Sequence, residues 1–421
     1  MATHTLRVIA LALTTSLTFS HYAHADVLSG PTSARSAKST AAASSSNFNP
    51  AISLILDGRY VATDLDELEL PGFQTNGAEA PEDGFGLGET ELSISANIDD
   101  KVFGWFTLSL EEEDGETQTE IEEAYIESIG LGNGLSLRGG RFFSYLGYEN
   151  AVHDHALDFT DRSLIHSALF GGNFAGDGIQ ARWIAPTDLF LELGVELANG
   201  NNFPGGDNDS SIGSTVAFAR TGGDFGVSHA WRLGASYLST SFDNRPNAEQ
   251  EASESFALRN GDADILGVDL VYKWSPRGNP TQRNFKLVAE YFRRDENGIA
   301  ELSQGANSGS ANYDGSQDGF YIQGLYQWQP SWRAGIRFDH ISSDNSLRNI
   351  TGAIAASDFI AASGLISDED PRRVTASVDY SPSEFSRFRL QYSQTDTGEI
   401  DEDTIILQYI VSLGAHPAHS F

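Results

Sequence analysis

The sequence predicts an all-β protein, a transmembrane antiparallel up-and-down β-barrel of about 16 strands with short turns at one rim and long loops at the other. Three observations predict it. Apolar and polar residues alternate with period two in segment after segment. The connections between those segments alternate between short and long. All six tryptophans lie within a few residues of a predicted short turn.

The clearest unit is Gly178 to Asn199. Leu189, Leu191, Leu193, Val195 and Leu197 share one parity against Glu192, Gly194 and Glu196, after a run in which Ile179, Ala181, Trp183 and Ala185 alternate with Gln180 and Arg182. Pro186, Thr187 and Asp188 make the turn of this hairpin, which is apolar on one face and polar on the other. In chain order, strand patterning begins at Ile52 to Tyr60 and returns at Leu92 to Ile98, Val102 to Glu112, Glu120 to Ile129 and Leu135 to Phe143. After the Gly178 hairpin come Thr215 to Arg220, Trp231 to Ser241, Leu266 to Trp274 and Phe285 to Tyr291. Phe320 to Trp328, Trp332 to Phe338, Val374 to Tyr380, Phe388 to Tyr392 and Ile405 to Leu413 complete sixteen. Short connections include Asp99 to Lys101, Pro186 to Asp188, Gln329 to Ser331 and Ser381 to Glu384. Long ones include Asp64 to Gly86, Ser144 to Asp177, Asp295 to Gln317 and Ser342 to Pro371. An even strand count puts both termini on the short-turn side, and Trp105, Trp183, Trp231, Trp274, Trp328 and Trp332 suit an interfacial girdle there.

Composition agrees. Glycine (42 residues), phenylalanine (25) and tyrosine (14) suit strands and turns, and with no cysteine there is neither a disulfide framework nor thiol chemistry. A formal charge of −33 argues against nucleic acid, whose phosphates need clustered Lys and Arg. Arg7, the apolar stretch Val8 to Phe19 and Ala23-His24-Ala25 predict a cleaved signal peptide over residues 1–25. Residues 26–50 read as a flexible Ser/Ala-rich tail, and 51–421 as the barrel. No later segment approaches the ~20 apolar residues of a membrane helix, so an inserted chain would have to be a closed sheet.

With these features the chain resembles Gram-negative outer-membrane porins of the general and phosphate-selective kind. The resemblance rests on the architecture from Ile52 to Phe421, on the terminal Phe421 behind Tyr409-Ile410-Val411-Ser412-Leu413-Gly414, and on three phrases: Ala96-Asn97-Ile98-Asp99-Asp100-Lys101, Gly140-Arg141-Phe142-Phe143 and Trp183-Ile184-Ala185-Pro186-Thr187-Asp188. Those phrases are similar to relatives labelled porin-like or TonB-dependent-receptor-like, although residues 26–50 are too short for a receptor plug. His416-Pro417-Ala418-His419 departs from the usual apolar ending. The resemblance implies an outer-membrane location, lipid and lipopolysaccharide around the barrel, the barrel assembly machinery as a folding partner, a homotrimer, and passage of small hydrophilic solutes.

If the apolar parity faces lipid, the opposite parity lines the lumen. That wall carries Arg333, Arg337, Arg373, Arg387 and Arg389, with Asp339 and Asp379 among them, and earlier Arg59, Arg138 and Arg182. Carboxylates crowd at Glu111 to Glu113, Glu120, Glu122, Glu123 and Glu127, then at Glu192 and Glu196. Opposed walls of this kind would set a transverse field across the channel, unless the arginines pair with nearby acids. The resemblance implies that Ser144 to Asp177 folds inward as a constriction loop, with Asp154, Asp158, Asp161 and Arg162 narrowing the lumen and Phe159 and Phe170 packing against its wall. The sequence calls for no cofactor.

Two other classes remain open. His153 and His155, with Asp154, Asp158 and His166 nearby, suit zinc or copper and suggest a metal-linked uptake protein; His416 and His419 form a second pair. No acidic loop, around Asp64 to Asp83, Asp207 to Asp209 or Asp396 to Asp403, matches an EF-hand. A barrel hydrolase could be assembled from His153, Asp154 and Ser163, but there is no Gly-x-Ser-x-Gly elbow and no Walker-type loop. One arginine among several aspartates in the infolded loop argues against phosphate selectivity.

Overall fold

The computed structural model describes residues 50–63, 68, 70–75, 82–113, 116–208, 212–247, 254–398 and 401–414. The leader, nearly all of the tail, and His416, His419 and Phe421 lie outside the described residues. The first strands are β1 (Ala51–Thr63), β2 (Gly84–Leu87), β3 (Thr90–Asn97), β4 (Val102–Glu113), β5 (Glu116–Ser128) and β6 (Leu135–Phe143). Next come α1 (Leu164–Phe170), β7 (Ala175–Ile184), β8 (Phe190–Ala198), β9 (Ser214–Phe225), β10 (His229–Pro246) and β11 (Glu254–Trp274). The chain continues through β12 (Asn284–Gln304), β13 (Asn307–Gln329), β14 (Trp332–Gly352), α2 (Ala356–Ser363), β15 (Arg372–Ser383), β16 (Ser386–Asp396) and β17 (Asp401–Gly414).

Every strand pairs antiparallel with its neighbours, and β1 closes the ring against β17 from Ser53↔Gly414 to Thr63↔Thr404. The ring has sixteen staves, because β2 and β3 are two pieces of one: β2 pairs with Gly58 to Val61 of β1 and β3 with Ala51 to Ile55. The break falls at Gly88 and Glu89. A Cβ on Gly88 would lie 2.2 Å from Arg59 Nε and 2.4 Å from Asp57 Oδ2, so only glycine leaves room there for that ion pair.

The barrel is apolar outside and polar inside. Ile336 is 60 % exposed and Leu266 52 %, whereas Arg294 and Asp339 are fully buried. On β11 the outward apolar run from Trp274 to Leu266 covers eight residue steps, ~26 Å along the strand at ~3.3 Å each. A tilt of about 40° brings its height to ~20 Å, close to the ~25 Å band of such barrels. At the short-turn rim Trp328 stacks on Trp332, Trp332 meets Tyr380 and Phe225 stacks on Trp231. Trp105 departs from this girdle. It shares the parity of buried Thr107 and Ser109, donates Nε1–H to Thr107 Oγ1 at 2.9 Å and stacks on Tyr125, so it faces the lumen.

All sixteen expected strands are present, but two expected loops are not what their composition suggested. Asp295 to Gln317 is a tall hairpin that pairs as far as Gln304↔Asn307, and the first part of Ser342 to Pro371 prolongs β14. Polar residues occupy the outer face of these extensions because they stand in water above the apolar band. Phe242, Phe256, Leu258, Leu302, Tyr313 and Phe359 of α2 fill their inner face as a second core.

Candidate functional site

The segment between β6 and β7, residues 144–174, runs into the barrel. Asn150 closes its base: Nδ2 donates to the carbonyls of Ser144 and Phe174, both at 2.9 Å, and Phe174 N–H donates back to Oδ1 at 2.6 Å. Wall carboxylates then take up backbone donors that the loop cannot satisfy internally. Glu196 accepts Ser144 Oγ–H and Tyr145 N–H, Glu290 accepts Glu149 N–H and the Tyr321 hydroxyl, and Asp339 accepts the first N–H of α1, from Leu164, at 3.0 Å. Glu149 caps α1 through Ser163 N–H and Oγ–H, and Gly171 ends it with φ +64°, a left-handed conformation that glycine adopts without strain.

The basic wall grips the other side of the loop. Arg337 donates to Asp161, Asp339 and the carbonyls of Asp161 and Arg162, and Arg373 to Asp161 and the Arg162 carbonyl. Arg389 donates to the Leu157 carbonyl and Asp379, Arg333 to Asp158 and Asp379, and Arg387 to the His155 carbonyl. Burial would push the Asp158 carboxyl up, but Lys286 and Arg333 hold it below its ordinary value; Arg337 and Arg373 do the same for Asp161. Arg162 turns back onto Asp154. The first acidic wall is paired as well: Glu127 with Arg138 and Arg182, Glu192 with Arg182 and Arg220, and these guanidiniums surround the Tyr145 ring. The arginine and carboxylate walls are therefore largely neutralised locally.

These contacts divide the lumen. Along β9 to β14 the loop packs on inward apolar residues, where Leu146, Leu164, Ile165 and Phe170 meet Phe218, Leu238, Ile265, Val288, Phe292 and Tyr321. Against the remaining staves a cavity of about 650 Å³ stays open, lined by Arg59, Glu89, Glu120, Glu122, Asp154, Asp161, Arg162, Arg373 and Thr395 among others.

At the edge of this cavity the two expected histidines meet carboxylates. His153 Nδ1 lies 3.3 Å from Glu91 and 3.4 Å from Glu122, its Nε2 lies 3.1 Å from Glu123, and His155 Nδ1 meets the other oxygen of Glu91. Burial disfavours charge on His153, yet Glu91, Glu122 and Glu123 hold its imidazole well above the ordinary value. His166 sits apart, fully buried against Glu290. The groups of a hydrolytic triad are not assembled: Asp154 binds Arg162 and Ser163 binds Glu149.

Glu89, Asn150, Glu149, Lys286 and Glu290 were missing from the sequence-derived set. Parity along the later strands would have found Lys286 and Glu290. Glu89 stands in the break of a stave and the others in a segment without period, so no pattern marks them.

Residues 89–412 match the family described as putative beta-barrel porin-2, OmpL-like. A protein of Aquifex aeolicus (strain VF5) is 28 % identical over 410 residues, which cover 89 % of this chain and 80 % of that one. Among solved structures, the outer membrane channel DcaP of Acinetobacter baumannii is 16 % identical with a TM-score of 0.52, covering 87 % of this chain and 96 % of its own. The anion-selective porin from Comamonas acidovorans is 10 % identical with a TM-score of 0.51, covering 87 % and 99 %. At these identities the likeness is one of fold.

Proposed function

The chain belongs to the putative beta-barrel porin-2, OmpL-like family, an outer-membrane barrel, and from that premise we propose that it is a porin passing small hydrophilic solutes or ions by passive diffusion. The observation that carries this reading is the half-filled lumen. The infolded segment occupies the β9 to β14 side and leaves a charged cavity of about 650 Å³ on the other. Asp154, Asp158, Asp161 and Arg162 belong to this constriction in our reading, and the wall arginines act on solutes chiefly by holding the constriction in place. Arg59 and Arg373 are engaged by Asp57 and Asp161 and Glu122 faces His153, which leaves Glu89 and Glu120 as carboxylates of the lining in excess of its cations. This balance supports a preference for cations. The reading has no catalytic step, and it includes export by a cleaved signal peptide over residues 1–25, insertion by the barrel assembly machinery, contact with lipopolysaccharide, and a homotrimer.

Single-channel recording of purified, folded protein across a salt gradient tests it. Discrete conductance steps with a reversal potential of cation-selective sign are expected. Folded protein that gives no conductance would overturn the open-pore reading.

A further inference from the structure

We propose that Glu89, Glu91, Glu122 and His153 bind a divalent transition-metal ion of the zinc class, which ties the infolded segment to the barrel wall at the edge of the cavity. The inference goes beyond the pore reading and rests on the geometry of the cluster. The four side chains come from three separate places: the break between β2 and β3 with the start of β3, the middle of β5, and the loop between β6 and β7. One donor atom from each lies within 4.8 Å of all the others. A zinc ion with ligand bonds of ~2.0–2.2 Å sets its tetrahedral donors about 3.3–3.6 Å apart. His153 Nδ1 already stands at 3.3 Å from Glu91 Oε2 and 3.4 Å from Glu122 Oε2.

Carboxylates outnumber cationic groups in the cluster. Glu89 is 5 % exposed, and its Oε1 has no hydrogen-bond partner among the described residues; neither has Glu122 Oε2 nor His153 Nδ1. Four carboxylates, those of Glu89, Glu91, Glu122 and Glu123, face two imidazoles. The nearest guanidiniums are committed elsewhere, Arg162 to Asp154 and Arg59 to Asp57. Buried carboxylate oxygens without hydrogen-bond partners are costly, and a dication offsets that cost at the point where two of them converge with a carboxylate oxygen of Glu91.

The surroundings orient the donors as a metal site requires. His153 Nε2 lies 3.1 Å from Glu123 Oε2, and donating its proton there leaves the Nδ1 lone pair directed at Glu91 and Glu122. His155 takes Glu91 Oε1, leaving Oε2 on the side of the ion. A β-bulge supplies Glu122. The β4–β5 register steps from Thr107↔Glu123 to Leu108↔Ile121, so Glu122 is the extra residue and points inward alongside Glu123. In an unbroken strand one of these two would face lipid. Three carboxylate oxygens with one imidazole nitrogen favour zinc, manganese or cobalt over magnesium and calcium, which prefer all-oxygen shells.

Calorimetric titration of zinc chloride into chelator-treated, folded full-length protein tests the proposal. Saturable binding of one zinc per chain is expected, unchanged by an excess of magnesium. Glu89→Gln and His153→Ala should each weaken it more than ~10-fold, and Glu123→Gln, at the carboxylate that orients the imidazole through Oε2 and accepts Phe143 N–H through Oε1, by about 10-fold. Glu301→Gln, in an exposed ion pair with Arg259, should leave it unchanged. Glu89→Gln and Glu123→Gln are nearly isosteric, so they report even if His153→Ala fails to fold. Absence of saturable binding to folded wild type, wild-type affinity in the Glu89 and Glu123 variants, or displacement by magnesium would each overturn the site. Calorimetry reads the ion without reference to transport, so failure here leaves the pore reading standing, and a silent bilayer leaves the ion standing.

Discussion

At the scale of single residues, the guanidinium of Arg337 illustrates how the loop is held. It is 1 % exposed and meets two carboxylates and two loop carbonyls at once, while Asp339 behind it is fully buried. Arg337→Ala would strand that carboxylate and cost about 3–5 kcal/mol locally. The expected result is a larger single-channel conductance with the barrel retained, read by recording and by heat-modifiable gel mobility. Asp158 gives the pH dependence of the same clamp. Its carboxyl titrates below the ordinary value in the folded protein, so its contribution is fully present above the unfolded value of ~4 and is lost as pH falls through the folded one. Conductance should therefore hold steady from neutrality to about pH 4 and rise only in stronger acid. In Lys286→Met, which removes the nearest cation, that rise should begin at higher pH. Inward positions such as Arg138, Arg182, Glu192 and Glu196 were legible in the sequence because parity alone places them. Glu122 was named with the lumen carboxylates, but parity could not say that it and Glu123 both point inward, because a bulge breaks the period there; Trp105 was misplaced because an apolar side chain on the wet face contradicts the pattern.

At the scale of elements, period two located all sixteen strands but not their heights. Within the membrane, lipid outside and water inside keep the alternation sharp. Above it both surroundings change, since β10 to β14 meet water outside and their own second core inside. The reversed pattern, with Gly, Ser and Asp outside and small or aromatic residues inside, reads as loop. Phe359 of α2 closes this second core at 0 % exposure. Phe359→Ala should cost the dome about 3–5 kcal/mol. The expected outcome is protease cleavage between β14 and β15 in a protein whose conductance and heat-modifiability are unchanged. Loss of the channel as well would mean that the dome and the membrane ring fold as one unit. The infolded segment was equally unreadable in detail, because its backbone is satisfied by Glu196, Glu290 and Asp339, which lie far away in sequence.

For the whole molecule, the governing fact is that the apolar face is the outer one. A water-soluble sandwich of the same strands would bury Leu266, Ile336 and Leu390, yet these are 52, 60 and 54 % exposed, while Arg294, Arg337 and Arg389 lie inside. That inversion lets a chain with a net charge of −33 cross a membrane, since many of its barrel arginines and carboxylates, such as Arg245 with Glu296, Arg337 with Asp339 and Arg389 with Asp379, are turned to the lumen and paired there. It also sets apart two substitutions that look equally severe in the sequence. Ile336→Arg puts a charge in the middle of the outward band, where ~2–4 kcal/mol is lost at the bilayer midplane. Thr395→Arg, on the inward face of β16 where it lines the open cavity, puts the same charge into water. Folding into lipid vesicles of increasing thickness should fail progressively for the first variant and hardly change for the second. Equal failure of both would mean that the two faces do not differ in solvent, and the assignment of lipid to the outer surface would have to be given up.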